Sequence, residues 1–131
     1  MATVTASLTL SSPDLTGDNL SLSTSSTLTK AGTVTGLDQT TGVSRKTFTT
    51  NSIQTLIDKG DYADDKAHKV YIKNCSTTAT ENAVVTVESQ LLGRLYAGDW
   101  CLLPYNGDQD IKITPSVSTA FTIEFLVIYE A

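Results

Sequence analysis

The sequence is poor in the residue types that carry chemistry. Its 131 residues include one histidine, His68, and two cysteines, Cys75 and Cys101. A zinc site draws on about four convergent Cys, His or carboxylate ligands, and no Cys-x-x-Cys pair occurs, so no zinc site is expected. The histidine-rich metal cluster of a cupin is excluded for the same reason. Nucleophilic catalysis needs a base beside its nucleophile. The sole histidine follows Asp64-Asp65-Lys66 and precedes Lys69, the setting of a solvated residue where a loop enters a strand. Neither a Gly-x-Ser-x-Gly elbow nor a Gly-x-x-x-x-Gly-Lys phosphate loop is present. The expectation is a protein that is not an enzyme and takes no cofactor and no metal.

Charge is scarce as well. Charged residues make up 18% and the net charge is -5, with a pI near 4.6. A nucleic-acid binder needs a basic face to displace counterions, and an anionic membrane attracts basic surfaces. Neither partner is expected. The longest apolar run, Phe125–Tyr129, is far short of the ~20 residues of a membrane-spanning helix. The start, Met1-Ala2-Thr3-Val4-Thr5, lacks the basic and apolar regions of a secretory signal, so the expected place of synthesis is a reducing cytoplasm. There the triplet Asn74-Cys75-Ser76 carries no glycosylation meaning. The two cysteines read as small hydrophobes within strands, or as a pair if those strands meet.

What the sequence has in quantity is hydroxyl groups: 22 threonines and 13 serines, 35 of 131 residues. Thr is β-branched and fits a pleated surface, while strong helix formers are few. Hydrophobic residues at 40% are too many for a disordered chain, and the length suits one domain with a core of its own. The alternation supports this. Val4, Ala6, Leu8 and Leu10 share one parity, with Thr or Ser on the other, the pattern of a half-buried strand. Leu20 and Leu22 resume it after a turn, and Ser23–Thr27 reads as a bulged strand or an extended arm.

Further along, Val43 to Thr50 reads as a strand anchored by Phe48. Ile53, Leu56 and Ile57 have helix-like spacing, enough for one or two turns. His68 to Cys75 reads as a strand with Val70 and Ile72 facing in and Lys69 and Lys73 facing out. Ala83 to Leu91 reads as another, with Gly93 starting a bulge. A tight turn at Ala97-Gly98-Asp99 precedes the strand Trp100–Tyr105, whose Pro104 puts it near an edge. Asn106-Gly107-Asp108 is a turn signal, and Ile111 and Ile113 form a short strand before Pro115. Ala120 to Tyr129 becomes apolar on both faces, as a central strand does. About eight or nine short antiparallel strands at this spacing predict an all-β, single-domain β-sandwich or jelly-roll-like barrel over 1–131. The first 50 residues are Ser/Thr-rich and poor in large apolar side chains, as strands or an arm covered by neighbouring subunits would be.

Two clusters invite a ligand. Asn106, Asp108 and Asp110 have the spacing that opens a calcium loop, but Ile111 stands where the loop needs Gly and Val117 where it needs Glu. A solvated loop tip fits better. Tyr96, Trp100 and Tyr105 crowd one turn and form a candidate sugar-stacking platform, although core packing with one polar tip each is the commoner explanation.

Several strings have a wider likeness. Lys69-Val70-Tyr71-Ile72-Lys73-Asn74, Gly93-Arg94-Leu95-Tyr96-Ala97-Gly98-Asp99, Asp110-Ile111-Lys112-Ile113-Thr114-Pro115, the ending Ile128-Tyr129-Glu130-Ala131 and Leu28-Thr29-Lys30-Ala31-Gly32 resemble small virion structural proteins of tailed phages, those of cyanobacteria-infecting phages above all. The resemblance covers most of the chain and brings no catalytic residues. It implies a non-enzymatic particle component, as a capsid decoration (cement) protein, a head fibre or a tail part. The implied location is the exterior of a virion assembled in the host cytoplasm, and the implied partner is the major capsid protein or another virion protein. Closed symmetry multiplies weak contacts, so a homo-oligomer, a trimer foremost, is expected, with Leu20, Leu22, Leu28, Val34 and Phe48 as contact residues. The alternative is a receptor- or glycan-binding module using Tyr96, Trp100 and Tyr105.

Overall fold

The computed structural model describes residues 2–131. It is all β among those residues, with eleven strands where about eight or nine were expected: β1 (Thr5–Ser12), β2 (Leu20–Thr27), β3 (Gln39–Thr40), β4 (Ser44–Phe48), β5 (Gln54–Ile57), β6 (His68–Asn74), β7 (Asn82–Val87), β8 (Gln90–Tyr96), β9 (Trp100–Tyr105), β10 (Ile111–Pro115) and β11 (Phe121–Tyr129). All pairings are antiparallel. One sheet runs β4-β11-β6-β9, with β3 on the far end of β11, and the second runs β5-β10-β7-β8. The hairpin β1-β2 is a sheet by itself.

The two larger sheets face each other across one core, a sandwich-like arrangement. Period-2 alternation supplies it. Val70 and Ile72 of β6 and Ile123 and Val127 of β11 are fully buried, and from the opposite sheet come Ala83, Val85, Ile111 and Ile113. Phe48 pairs with Phe121 at one end of this core. The central position of β11, between β4 and β6, follows from its two apolar faces. Its outward side chain Ile128 belongs to a second small core with Leu28 and Leu37, on the outside of the sheet.

Three local expectations are corrected. Gln54–Ile57 is a strand and not a helical turn, because four residues are too few to nucleate a helix and β10 offers a ladder partner. Ala83 to Leu91 is not one strand: the chain reverses at Glu88-Ser89, with Glu88 at φ 52. No Gly or Asn marks that turn. Instead Glu88 is held on Asp110, whose carbonyl accepts its N–H (2.8 Å) and whose own N–H donates to its carboxylate (3.1 Å). Finally, His68 is not solvated but fully buried.

One end of the sandwich is built from the 58–67 loop stacked on the 106–110 loop, and these loops carry Asp58, Asp61, Asp64, Asp65, Asp108 and Asp110 beside Lys59 and Lys66. Lys59 N–H donates to Asp110 Oδ1 at 2.7 Å, and Gly107, at φ 100, lies flat against the carbonyl of Ala63. The other end is organised by buried Asn74, whose amide donates to the Leu95 carbonyl (3.0 Å) while its backbone pairs with Gly98 and Asp99.

Candidate functional site

The most unusual feature is the β1-β2 hairpin, which lies outside the sandwich as an arm. Eight cross-strand pairs run from Thr5↔Thr27 to Ser12↔Leu20 without a bulge. Residues paired directly opposite share a face, so Ala6, Leu8, Leu10, Leu20 and Leu22 fall on one side. The other side is all Ser and Thr: Ser7, Thr9 and Ser11 against Ser21, Ser23 and Ser25. The composition that made this region look weak in core-forming residues is thus an amphipathic two-stranded ribbon. A ribbon of two strands is marginal in water without a surface to lie on.

Its root has such a surface. The N–H of Leu28 donates to the Val4 carbonyl (2.9 Å) and that of Leu37 to the Leu28 carbonyl (2.8 Å). Val4 and Ala6 pack with Leu28, Leu37, Leu126 and Ile128 on the outer face of β11. From there the arm crosses the sheet toward β9, the free edge. Ala6 and Leu8, with Thr24 and Ser26, face Trp100 and Leu102 across an open groove of about 260 Å³. Beyond it Leu10 and Leu22 are each 46% exposed. Trp100 and Leu102 are 54% and 41% exposed, and exposed apolar side chains mark contact sites where they are contiguous.

The expected contact residues are therefore divided. Leu22 and, half-buried, Leu20 lie on the arm's apolar face, and Val34 is exposed in the loop at its root. Leu28 and Phe48 are buried in this chain's own cores and have no surface to offer. The stacking platform does not assemble either. Tyr96 and Trp100 flank the 97–99 turn and are exposed, whereas Tyr105 is buried at the far end of β9, its hydroxyl donating to the Gln109 carbonyl at 2.7 Å. Alternation explains this: Trp100 and Tyr105 are five residues apart, so they point to opposite faces of the strand. Leu10, Leu102 and Leu8 were not singled out as contact residues, although the parity of Leu8 and Leu10 was visible.

A second cluster surrounds His68, buried among Tyr62, Tyr105 and Tyr129 with ring centroids 5.7, 6.0 and 6.4 Å away. Nε2 lies 2.8 Å from the Ala63 carbonyl and Nδ1 accepts from the Glu130 N–H at 3.3 Å. Both ring nitrogens are occupied by backbone, so the imidazole ties segments together and has no lone pair free for a substrate. The buried Glu130 carboxylate accepts from Ala31 N–H (2.8 Å) and Ala67 N–H (3.3 Å), with Lys66 Nζ at 3.9 Å. Burial pushes this carboxyl up, and the two N–H donors with Lys66 outweigh it, leaving it below the usual glutamate value.

Cys75 and Cys101 are unpaired and half-buried, and burial raises the Cys101 thiol, which keeps it a poor nucleophile. Among the described residues, no three His, Cys, Asp or Glu side chains come together to hold a metal ion, and no helix is long and apolar enough to cross a membrane. No family model, curated protein or solved structure matches this chain.

Proposed function

We propose that this chain is a non-enzymatic structural component of a phage virion, a capsid decoration (cement) protein that binds the outside of the shell as a homo-oligomer, with three copies the favoured number. The particle assignment rests on the sequence resemblance to virion proteins. What carries the structural half is the arm: an uncharged ribbon outside the sandwich whose leucine face leaves Leu10 and Leu22 each 46% exposed. An apolar face left open along a projecting hairpin is suited to another protein surface.

The strand order supports a jelly-roll reading. Counting β4 to β11 as eight strands, the two sheets run first-eighth-third-sixth and second-seventh-fourth-fifth, as two interlocked Greek keys do. That double-sheet architecture is used by capsid proteins, and by lectins too. The exposed indole of Trp100 therefore favours one second reading, a glycan-binding module of a tail or fibre.

The test is sedimentation of the purified chain with shells of a cyanobacteria-infecting tailed phage, alongside mass spectrometry of purified virions. A fixed saturating copy number on the shell, and the chain in the virion, is the expected result. A chain that stays in the supernatant and is absent from virions contradicts it. Glycan binding that Trp100→Ala abolishes while the fold survives moves the assignment to the second reading.

A further inference from the structure

Asn106 is exposed where β9 passes into the 106–110 loop, and Gly107 follows it. The carboxamide of an asparagine can be attacked by the backbone nitrogen of the next residue, a ring closure that bulky neighbours hinder. Glycine has no Cβ to stand in the way. The other asparagines are followed by side chains: Asn19 by Leu20, Asn51 by Ser52, Asn74 by Cys75 and Asn82 by Ala83.

The structure separates Asn106 from them further. Its Oδ1 accepts from the Asp108 N–H at 3.4 Å, an Asx turn that folds the carboxamide back over the following backbone. The attacking group, the Gly107 N–H, donates to no protein acceptor among the described residues. At the exposed Asn51 the equivalent N–H, that of Ser52, is held by Thr50 Oγ1 at 3.2 Å. At Asn74 the Cys75 N–H donates to the Thr122 carbonyl (3.1 Å), and the buried carboxamide is tied to the Glu81 and Leu95 carbonyls. Asn82 and Ala83 lie within the β7 ladder. Asn106 also lines an open cleft of about 380 Å³ with Lys66, Tyr105 and Gln109, room for water to reach the amide and for ammonia to leave.

We propose that Asn106 is a site of spontaneous deamidation, at which the chain rewrites its own backbone. Hydroxide takes the proton of the Gly107 N–H, and that nitrogen attacks Cγ of Asn106. The new N–Cγ bond closes a succinimide ring as the Cγ–Nδ2 bond breaks, and ammonia leaves with a proton taken from water. Water then opens the ring. Breaking the N–Cγ bond gives an aspartyl residue. Breaking the bond between that nitrogen and the Asn106 backbone carbonyl gives an isoaspartyl linkage, in which the chain runs through Cβ and Cγ. No oxidant or reductant takes part: amide and water become carboxylate and ammonium.

The place of this residue gives the reaction a consequence. The Asn106 carbonyl accepts from the Lys66 N–H at 3.3 Å, and Gly107 lies against the Ala63 carbonyl. That same carbonyl lies 2.8 Å from Nε2 of His68. An isoaspartyl linkage adds a methylene to the backbone and turns the Asn106 carbonyl into a carboxylate outside it, so the 58–67 loop loses its clasp over His68. An aspartyl residue keeps the backbone and adds only a surface charge beside Asp108, a milder change. The reaction runs one way, so the clasp loosens with age. The chemistry is independent of what the chain assembles with.

The experiment ages the purified full-length chain in warm, mildly alkaline buffer, folded and, in parallel, unfolded in guanidinium chloride. Tryptic peptides are followed by mass spectrometry, and isoaspartate is scored by enzymatic methylation. In the folded chain, Leu95–Lys112, which holds Asn106, is expected to convert roughly tenfold faster than Thr47–Lys59, which holds Asn51. Asn106→Gln is expected to abolish the conversion in Leu95–Lys112. The isoaspartyl fraction, separated by ion exchange, should unfold at a lower temperature than fresh chain, with Asn106→Asp between the two. No conversion at position 106 in the folded chain overturns the proposal, and conversion in guanidinium chloride alone would then show that the fold shields the site. Equal unfolding temperatures for aged and fresh chain overturn the consequence for the clasp.

Discussion

The backbone N–H of Glu130 donates to Nδ1 of the buried His68 at 3.3 Å, while the Glu130 carboxylate reaches in another direction to the N–H groups of Ala31 and Ala67. Four segments thereby meet at one residue: the end of β11, the start of β6, the 58–67 loop and the root of the arm. The arm's direction across the sheet depends on that root, so the cluster is a positioning device for the contact surface.

Glu130→Gln tests it by pH. The native carboxyl is held below its ordinary value of 4.5. A depressed carboxyl contributes stability above the unfolded value and loses it as pH falls through the folded one. Thermal unfolding from pH 7 to pH 3 is therefore expected to show Glu130→Gln less stable at neutral pH, by about 1–3 kcal/mol for loss of a charged acceptor. The difference should shrink below pH 4.5. A constant gap across the range contradicts the assignment.

His68→Leu keeps the volume roughly and removes both ring hydrogen bonds. It leaves the Glu130 N–H and the Ala63 carbonyl without their partner in a buried place. The expected cost is about 2–4 kcal/mol in denaturant unfolding. A solvated histidine, as the sequence suggested, would be replaceable within about 0.5 kcal/mol.

That contrast marks where the sequence was legible. Pro104 marked the edge position of Trp100–Tyr105, the Ala97-Gly98-Asp99 residues marked the turn, and alternation placed β6, β10 and β11 and the inward Val70 and Ile72. It also gave the shared parity of Leu8 and Leu10. It could not give what depends on contacts distant along the chain. His68 is buried because the 58–67 loop folds over it, and Glu88 takes a positive φ because Asp110 clasps it. Leu28 and Phe48 looked like spare apolar residues in a polar region, yet each meets a partner some 70 to 100 residues later, Ile128 and Phe121.

Gly107→Ala is expected to be costly for its size. At φ 100 an added Cβ is driven into the Ala63 carbonyl, which is backbone and cannot turn aside. The loops of the acidic end must separate, at about 2–4 kcal/mol when strain and clash combine. Gly17→Ala, with open space around it and no positive φ, is the matched control and should change stability by less than about 0.5 kcal/mol.

Tyr105 should be the last tyrosine to ionise. Burial first, then the carboxylates of Asp110 and Asp61, push its hydroxyl up to about 12. A raised folded value means that its contribution is complete below the unfolded value of 10.0 and is lost as pH rises through the folded one. Ultraviolet titration of the native chain against Tyr105→Phe should show the missing group at the alkaline end. If the step removed lies near pH 10, Tyr105 is solvated and the placement is wrong.

The proposed function depends most on the arm working as a surface for other protein chains. Hydrogen exchange of the amides in Thr9–Ser12 and Leu20–Ser23 reads this directly, because a ribbon lying free opens locally and exchanges fast. The expected result is fast exchange in dilute solution, slowed at least tenfold when the chain is concentrated or bound to shells. Exchange equally fast under all three conditions contradicts the account.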